Sequence, residues 1–127
     1  MSEFIVSFQR DKTLQQRQQM ASAIRKKYPD RLAVIIDRVS SLDPMLKKHK
    51  FLVPMGLTLG QFTHVVRKRL KMEAPHQPIS EYQTLYINVY GSKILPTLSE
   101  LMMNITQQHE NADQFLYLNY GLEHAFG

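Results

Sequence analysis

The sequence contains no cysteine and no tryptophan, and only 5 of its 127 residues are glycine. Without cysteine, the chain forms no disulfide, no thiolate metal site and no thiol nucleophile of its own. No apolar run approaches the length needed to cross a bilayer, and residues 1–10 lack the basic start and long apolar segment of a secretory signal. A cytosolic or nuclear protein is the expectation. The five histidines, at 49, 64, 76, 109 and 124, form no HExxH pattern, and Gly91, Ser92 and Lys93 lack the preceding glycine of a phosphate loop. No cofactor and no intrinsic enzymatic activity are therefore expected.

What is present is unevenly placed. Fifteen Lys and Arg residues against five acids occupy the chain through Met72; beyond it only Lys93 faces six acids. The basic half is the natural partner-facing half, suited to acidic peptides, nucleic acid or an anionic membrane. At this length a single domain buries roughly two-thirds of its unfolded surface, enough for a self-sufficient core.

Residues 1–9 hold Phe4, Ile5, Val6 and Phe8 and suit a short helix docked on the body. Thr13 and Gln16 have capping-box spacing, predicting a helix to about Lys27 that Tyr28, Pro29 and Asp30 break. Strands are predicted over 32–39 and 50–54, paired antiparallel. Thr58 and Gln61 form a second capping box before a stripe of Leu59, Phe62, Val65, Val66 and Leu70. A loop over 71–82 follows, then a strand over 85–90, a turn at Gly91 and Ser92, and a short strand near Ile94 and Leu95. Thr97 and Glu100 give a third capping box before another helical stripe.

The run from Phe115 to Tyr120 carries no charge and is rich in aromatic and branched residues, as a strand covered on both faces requires. It is expected to lie mid-sheet. Gly121 is read as a turn opening a flexible tail, residues 121–127, which ends on Phe126 and Gly127. An unhindered terminal glycine carboxylate is a candidate for activation and transfer to a nucleophile. Once the two leading helices (1–27) are set aside, the order over 32–120 is strand, strand, helix, strand, strand, helix, strand. That is the order of an α+β ubiquitin-like β-grasp within a single domain, 1–127.

Several ordered blocks carry a resemblance: IRKKYPDR at 24–31, KFLVP at 50–54, LTLGQF at 57–62, RKR at 67–69 and FLY at 115–117, with the aromatic-glycine end. Together they resemble the autophagy ubiquitin-like modifiers of the GABARAP and light-chain-3 family. The resemblance implies a β-grasp with two extra N-terminal helices, attachment of Gly127 to phosphatidylethanolamine, and capture of short peptides with an aromatic and an aliphatic anchor. It also implies activating and conjugating enzymes, a deconjugating cysteine protease, autophagy receptors and adaptors as partners, and a monomer before conjugation. The cytoplasm, and the autophagosomal membrane after lipidation, are the implied locations.

If 50–54 is an edge strand, alternation sends Lys50 and Leu52 to one face and Phe51 and Val53 to the other. On the first face Leu52 and the Lys50 stem are expected to meet Ile24 and Phe115, the family's seat for the aromatic anchor. On the second, Phe51, Val53 and Pro54 are expected to meet Leu57, Phe62 and Val65, the seat for the aliphatic anchor. Arg31, Lys48, Lys50 and Arg69 would attract acidic residues ahead of the aromatic. Met20 and Ala33 stand where relatives commonly carry an acid and a proline beside the aromatic pocket, and the 71–82 loop is longer than usual. Many relatives carry residues beyond the glycine that a cysteine protease removes, so this chain is expected to be conjugated without that cut. The alternatives are a modifier attached to protein instead of lipid, and a basic nucleic-acid-binding β-grasp domain.

Overall fold

The computed structural model describes residues 2–123. Two helices lead, α1 (Glu3–Asp11) and α2 (Leu14–Lys27), followed by β1 (Arg31–Arg38), β2 (Lys50–Pro54), α3 (Leu59–Glu73), β3 (Leu85–Val89), α4 (Met102–His109) and β4 (Leu116–Leu122). Both α2 and α3 start where the sequence placed them. Thr13 accepts from the Gln16 amide while Gln16 reaches back to Thr13, and Thr58 and Gln61 do the same.

The sheet runs β2-β1-β4-β3, with β1 and β4 parallel at its centre and β2 and β3 antiparallel at its edges. Burial along β4 is complete, which is why its sequence carries no charge between Leu116 and Leu122. Side chains leave the sheet alternately, so two apolar clusters form on its opposite faces. One gathers Val34, Ile36, Phe51, Val53, Leu116 and Leu118 against Phe62 and Val66 of α3. The other sets Ala33, Ile35, Phe115 and Tyr117 against Ile5, Phe8 and Ala21 of the leading helices.

Long-range polar contacts hold those helices in place. The Asp37 carboxylate accepts from the Phe4 amide at 2.8 Å, capping α1 from a distant strand. Arg17 donates to Asp113 at 2.7 Å, and the same buried carboxylate accepts from the Tyr117 hydroxyl and, at 2.9 Å, from the Phe115 amide. The segment between β1 and β2 is pinned by Tyr120, whose hydroxyl donates to Pro44 O at 2.6 Å and accepts from Leu46 N at 3.1 Å.

Five local expectations are corrected. α3 continues to Glu73 instead of yielding to a loop at Lys71, because Glu73 accepts from Lys47 N and pairs with Arg69 one turn back. No strand forms near Ile94 and Leu95; Ile94 O accepts from Val89 N in a tight return. Thr97 and Glu100 form a turn, not a helix cap, and α4 starts at Met102 because Leu101 bridges to Thr58 and Met102 N donates to Leu57 O. Gly121 is not a turn residue. It lies within β4 under the Tyr86 phenol, which a Cβ would overlap. Gly121 and Leu122, expected in the tail, therefore belong to the strand.

Candidate functional site

Among the described residues strand β2 pairs with β1 alone, so its other edge has no strand partner there. The register is Val34 with Phe51 and Ala33 with Leu52, and Ile36 N donates to His49 O while Met55 N donates to Asp30 O. Alternation along an antiparallel ladder then turns the amides and carbonyls of Phe51 and Val53 toward β1, and those of Lys50 and Leu52 outward. Two residues thus present a short rack of main-chain donors and acceptors. Arg31 touches one of them, its guanidinium lying 3.4 Å from Leu52 O. Pro54, exposed and without an N–H, ends the rack.

On the face toward the leading helices Leu52 remains 38% exposed, whereas Phe115 is buried at 1%. Phe115 does not line an open surface, because the Phe8 ring stands edge-on to it with centroids 5.7 Å apart. The Lys50 ammonium in turn sits 5.1 Å above Phe8. Burial lowers the Lys50 pKa, and neighbouring Lys12 adds to the effect. Ile24 and Met20 pack partly buried against the same cluster, and Ala33 is buried within it. The apolar surface beneath Lys50 therefore includes Phe8, which sequence reasoning placed only in a docked helix. The i, i+4 spacing of Phe4 and Phe8 was the available signal.

On the opposite face Phe51, Val53 and Phe62 are core residues, with Phe51 edge-on to Phe62 at 5.6 Å. Val65 of α3 is exposed and Leu57 packs partly buried against this cluster, whereas Pro54, expected on this face, alternates with Val53 and lies exposed on the face of Lys50 and Leu52. The Arg69 guanidinium lies 5.6 Å over the outer face of Phe51 and pairs with Glu73 at 3.2 Å. Glu73 also accepts from Lys47 N at 2.7 Å and Lys48 N at 3.4 Å. Burial pushes the Glu73 pKa up, but the Lys47 amide, Arg69 and the Lys48 amide outweigh it, so the net shift is down. Glu73 thereby fixes the backbone that carries exposed Lys48 toward β2. No sequence pattern marks that role, since it joins a helix end to a loop 25 residues away.

Arg31, Lys50, Leu52, Pro54, Leu57 and Arg69 gather about β2, with Lys48 just ahead of it, Ile24 packed on the leading-helix face and Val65 exposed on α3. Phe51, Val53, Phe62 and Phe115 lie beneath them as support. Phe126 and Gly127 lie outside the described residues. Among the described residues no group of His, Asp or Glu is arranged to hold a metal, and no helix is long and apolar enough to cross a membrane.

A four-stranded mixed sheet with α3 across one face, two leading helices across the other and parallel central strands defines a ubiquitin-like α+β protein. Residues 16–127 match the family described as autophagy protein Atg8, ubiquitin like. Autophagy-related protein 8d of Arabidopsis thaliana is 40% identical over 124 residues, 97% of this chain and 96% of that one. Autophagy-related protein 8 of Mycosarcoma maydis is 38% identical over 122 residues, covering 95% and 96% respectively. Among solved structures, Trypanosoma brucei ATG8 superimposes with a TM-score of 0.77 at 34% identity, over 94% of this chain and 97% of that one. Plasmodium falciparum Atg8, solved in complex with a Plasmodium falciparum Atg3 peptide, gives 0.75 at 28% identity, over 91% and 94%. The chain belongs to the Atg8 family of ubiquitin-like autophagy proteins.

Proposed function

We propose that this chain is a conjugated modifier, not an enzyme, and that it has two working parts. Gly127 is joined through its carboxyl group to the amine of phosphatidylethanolamine on autophagosomal membranes. The β2 edge docks short acidic peptides of aromatic-x-x-aliphatic pattern carried by autophagy receptors and adaptors. Activating and conjugating enzymes load the glycine, and a cysteine protease releases it. Before conjugation the protein is a cytoplasmic monomer.

The observation that carries the docking half is the open β2 edge, whose outward Lys50 and Leu52 groups lie between an apolar wall on each side. An added strand gains main-chain hydrogen bonds there, and alternate side chains reach opposite faces. Lys48, Lys50, Arg31 and Arg69 supply positive charge for acidic flanks. Two buried anchors contribute about 3 to 6 kcal/mol, and ordering the peptide offsets part of the remainder. Micromolar affinity, about 8 kcal/mol, follows. The Atg3 peptide held by the Plasmodium relative supports a conjugating-enzyme partnership of the same kind.

Reconstitution with activating and conjugating enzymes on phosphatidylethanolamine vesicles tests the conjugation half, with mass spectrometry identifying the acceptor. Deleting Gly127 should abolish the adduct. An undiminished adduct in the deletion, or an adduct on protein alone, overturns the lipid assignment.

A further inference from the structure

At the end of the sheet where the parallel strands β1 and β4 begin lies a cavity of about 390 Å3. It opens between Arg25 and Pro29 at the end of α2 and the face of α4 that carries Met103, Thr106 and Gln107. The volume sits at the small end of the range for ligand sites. Leu32, Ala33, Met55 and Met103 supply its apolar lining, and the two thioethers adapt to varied shapes.

The polar lining is asymmetric. Glu110 is engaged by Arg25 at 2.9 Å, which balances that pair. Arg31 makes a single long contact, 3.4 Å to Leu52 O, which leaves most of its planar fork of donors open. Gln107 and Gln114 line the same space, and among the described residues no hydrogen bond ties either side-chain amide. Gln114 holds the left-handed backbone conformation, φ 72°, the only non-glycine residue to do so among the described residues. Glycine would serve a plain turn at no steric cost. Glutamine instead keeps an amide at the cavity rim.

We propose that this cavity binds a small amphipathic carboxylate. Its apolar body rests against Met55 and Met103, and its carboxylate accepts a forked pair of hydrogen bonds from Arg31. A singly charged group is favoured over a doubly charged phosphate because the Glu110 carboxylate lines the same space. The site shares Arg31 with the docking edge at β2 but needs no conjugation at Gly127.

The test is a titration of the full-length 15N-labelled chain with hexanoate, and in parallel with hexanol. Hexanoate should give saturable shifts of the Ala33, Thr106 and Gln107 amides, with hexanol at least about tenfold weaker, as loss of a charge-assisted fork predicts. Arg31→Gln, a half-exposed position, should reduce hexanoate to the level of hexanol. Met103→Trp, which fills the cavity, should abolish the response to both. Shifts that never saturate, equal responses to acid and alcohol, or saturable shifts that survive Arg31→Gln would overturn the proposal.

Discussion

The ammonium group of Lys50 rests 5.1 Å above the ring of Phe8, and Phe8 in turn stands edge-on to Phe115. The three side chains come from β2, α1 and the residue just before β4. This stack ties the first helix to the wall of the proposed aromatic pocket. Phe8→Ala should cost about 3 to 5 kcal/mol of stability, the usual loss for a buried phenylalanine, and expose Phe115. A denaturant melt checks this. An unchanged midpoint would mean that α1 contributes nothing to the sheet face it covers.

Asp113 joins three partners without exposure to solvent: Arg17, the Tyr117 hydroxyl and the Phe115 amide. Burial raises the Tyr117 pKa, and the hydrogen bond to Asp113 raises it further, so the hydroxyl stays a donor. Asp113→Ala leaves a mostly buried guanidinium unpaired and should cost about 3 to 5 kcal/mol. Arg17→Met combined with Asp113→Ala should lose less than Asp113→Ala alone. Equal or greater loss in the double variant would deny the coupling.

Glu73 gives the acid limb of the stability profile a specific contributor. Its folded pKa is lowered, so its stabilisation is complete above the ordinary value of 4.5 and disappears as pH falls through the lower folded value. Glu73→Gln should therefore lose stability relative to wild type at neutral pH and converge on it as pH falls below the ordinary carboxylate range. Parallel melts across that window measure the difference, and a gap independent of pH would contradict the assignment.

Much of this was legible because it is local. Two capping boxes fixed the starts of α2 and α3, and the alternation Lys50, Phe51, Leu52, Val53 announced an edge strand with two faces, as the burial of β2 shows. The third box failed because capping spacing at Thr97 and Glu100 competes with a bridge from Thr58 to Leu101, a contact between distant segments. Gly121 was misread for a related reason. Its missing side chain makes room for Tyr86 across the sheet, and chain order alone does not show that neighbour. Phe115 reads as a pocket residue until Phe8 is placed over it, and Glu73 acquires its role from a loop that precedes α3 in the chain.

Lys50 and Leu52 are the proposed docking residues, and Leu52 is 38% exposed where a core leucine would be buried. The decisive measurement is a calorimetric titration of an acidic aromatic-x-x-aliphatic peptide into wild type and the Lys50→Ala, Leu52→Ala double variant, each paired with a denaturant melt. Losing one anchor contact of about 1.5 to 3 kcal/mol predicts binding weaker by more than about tenfold. The melt should move far less than the 2 to 5 kcal/mol or so of a truncated core leucine. A folded double variant that binds as tightly as wild type, or one whose binding fails only because it has unfolded, would contradict the account.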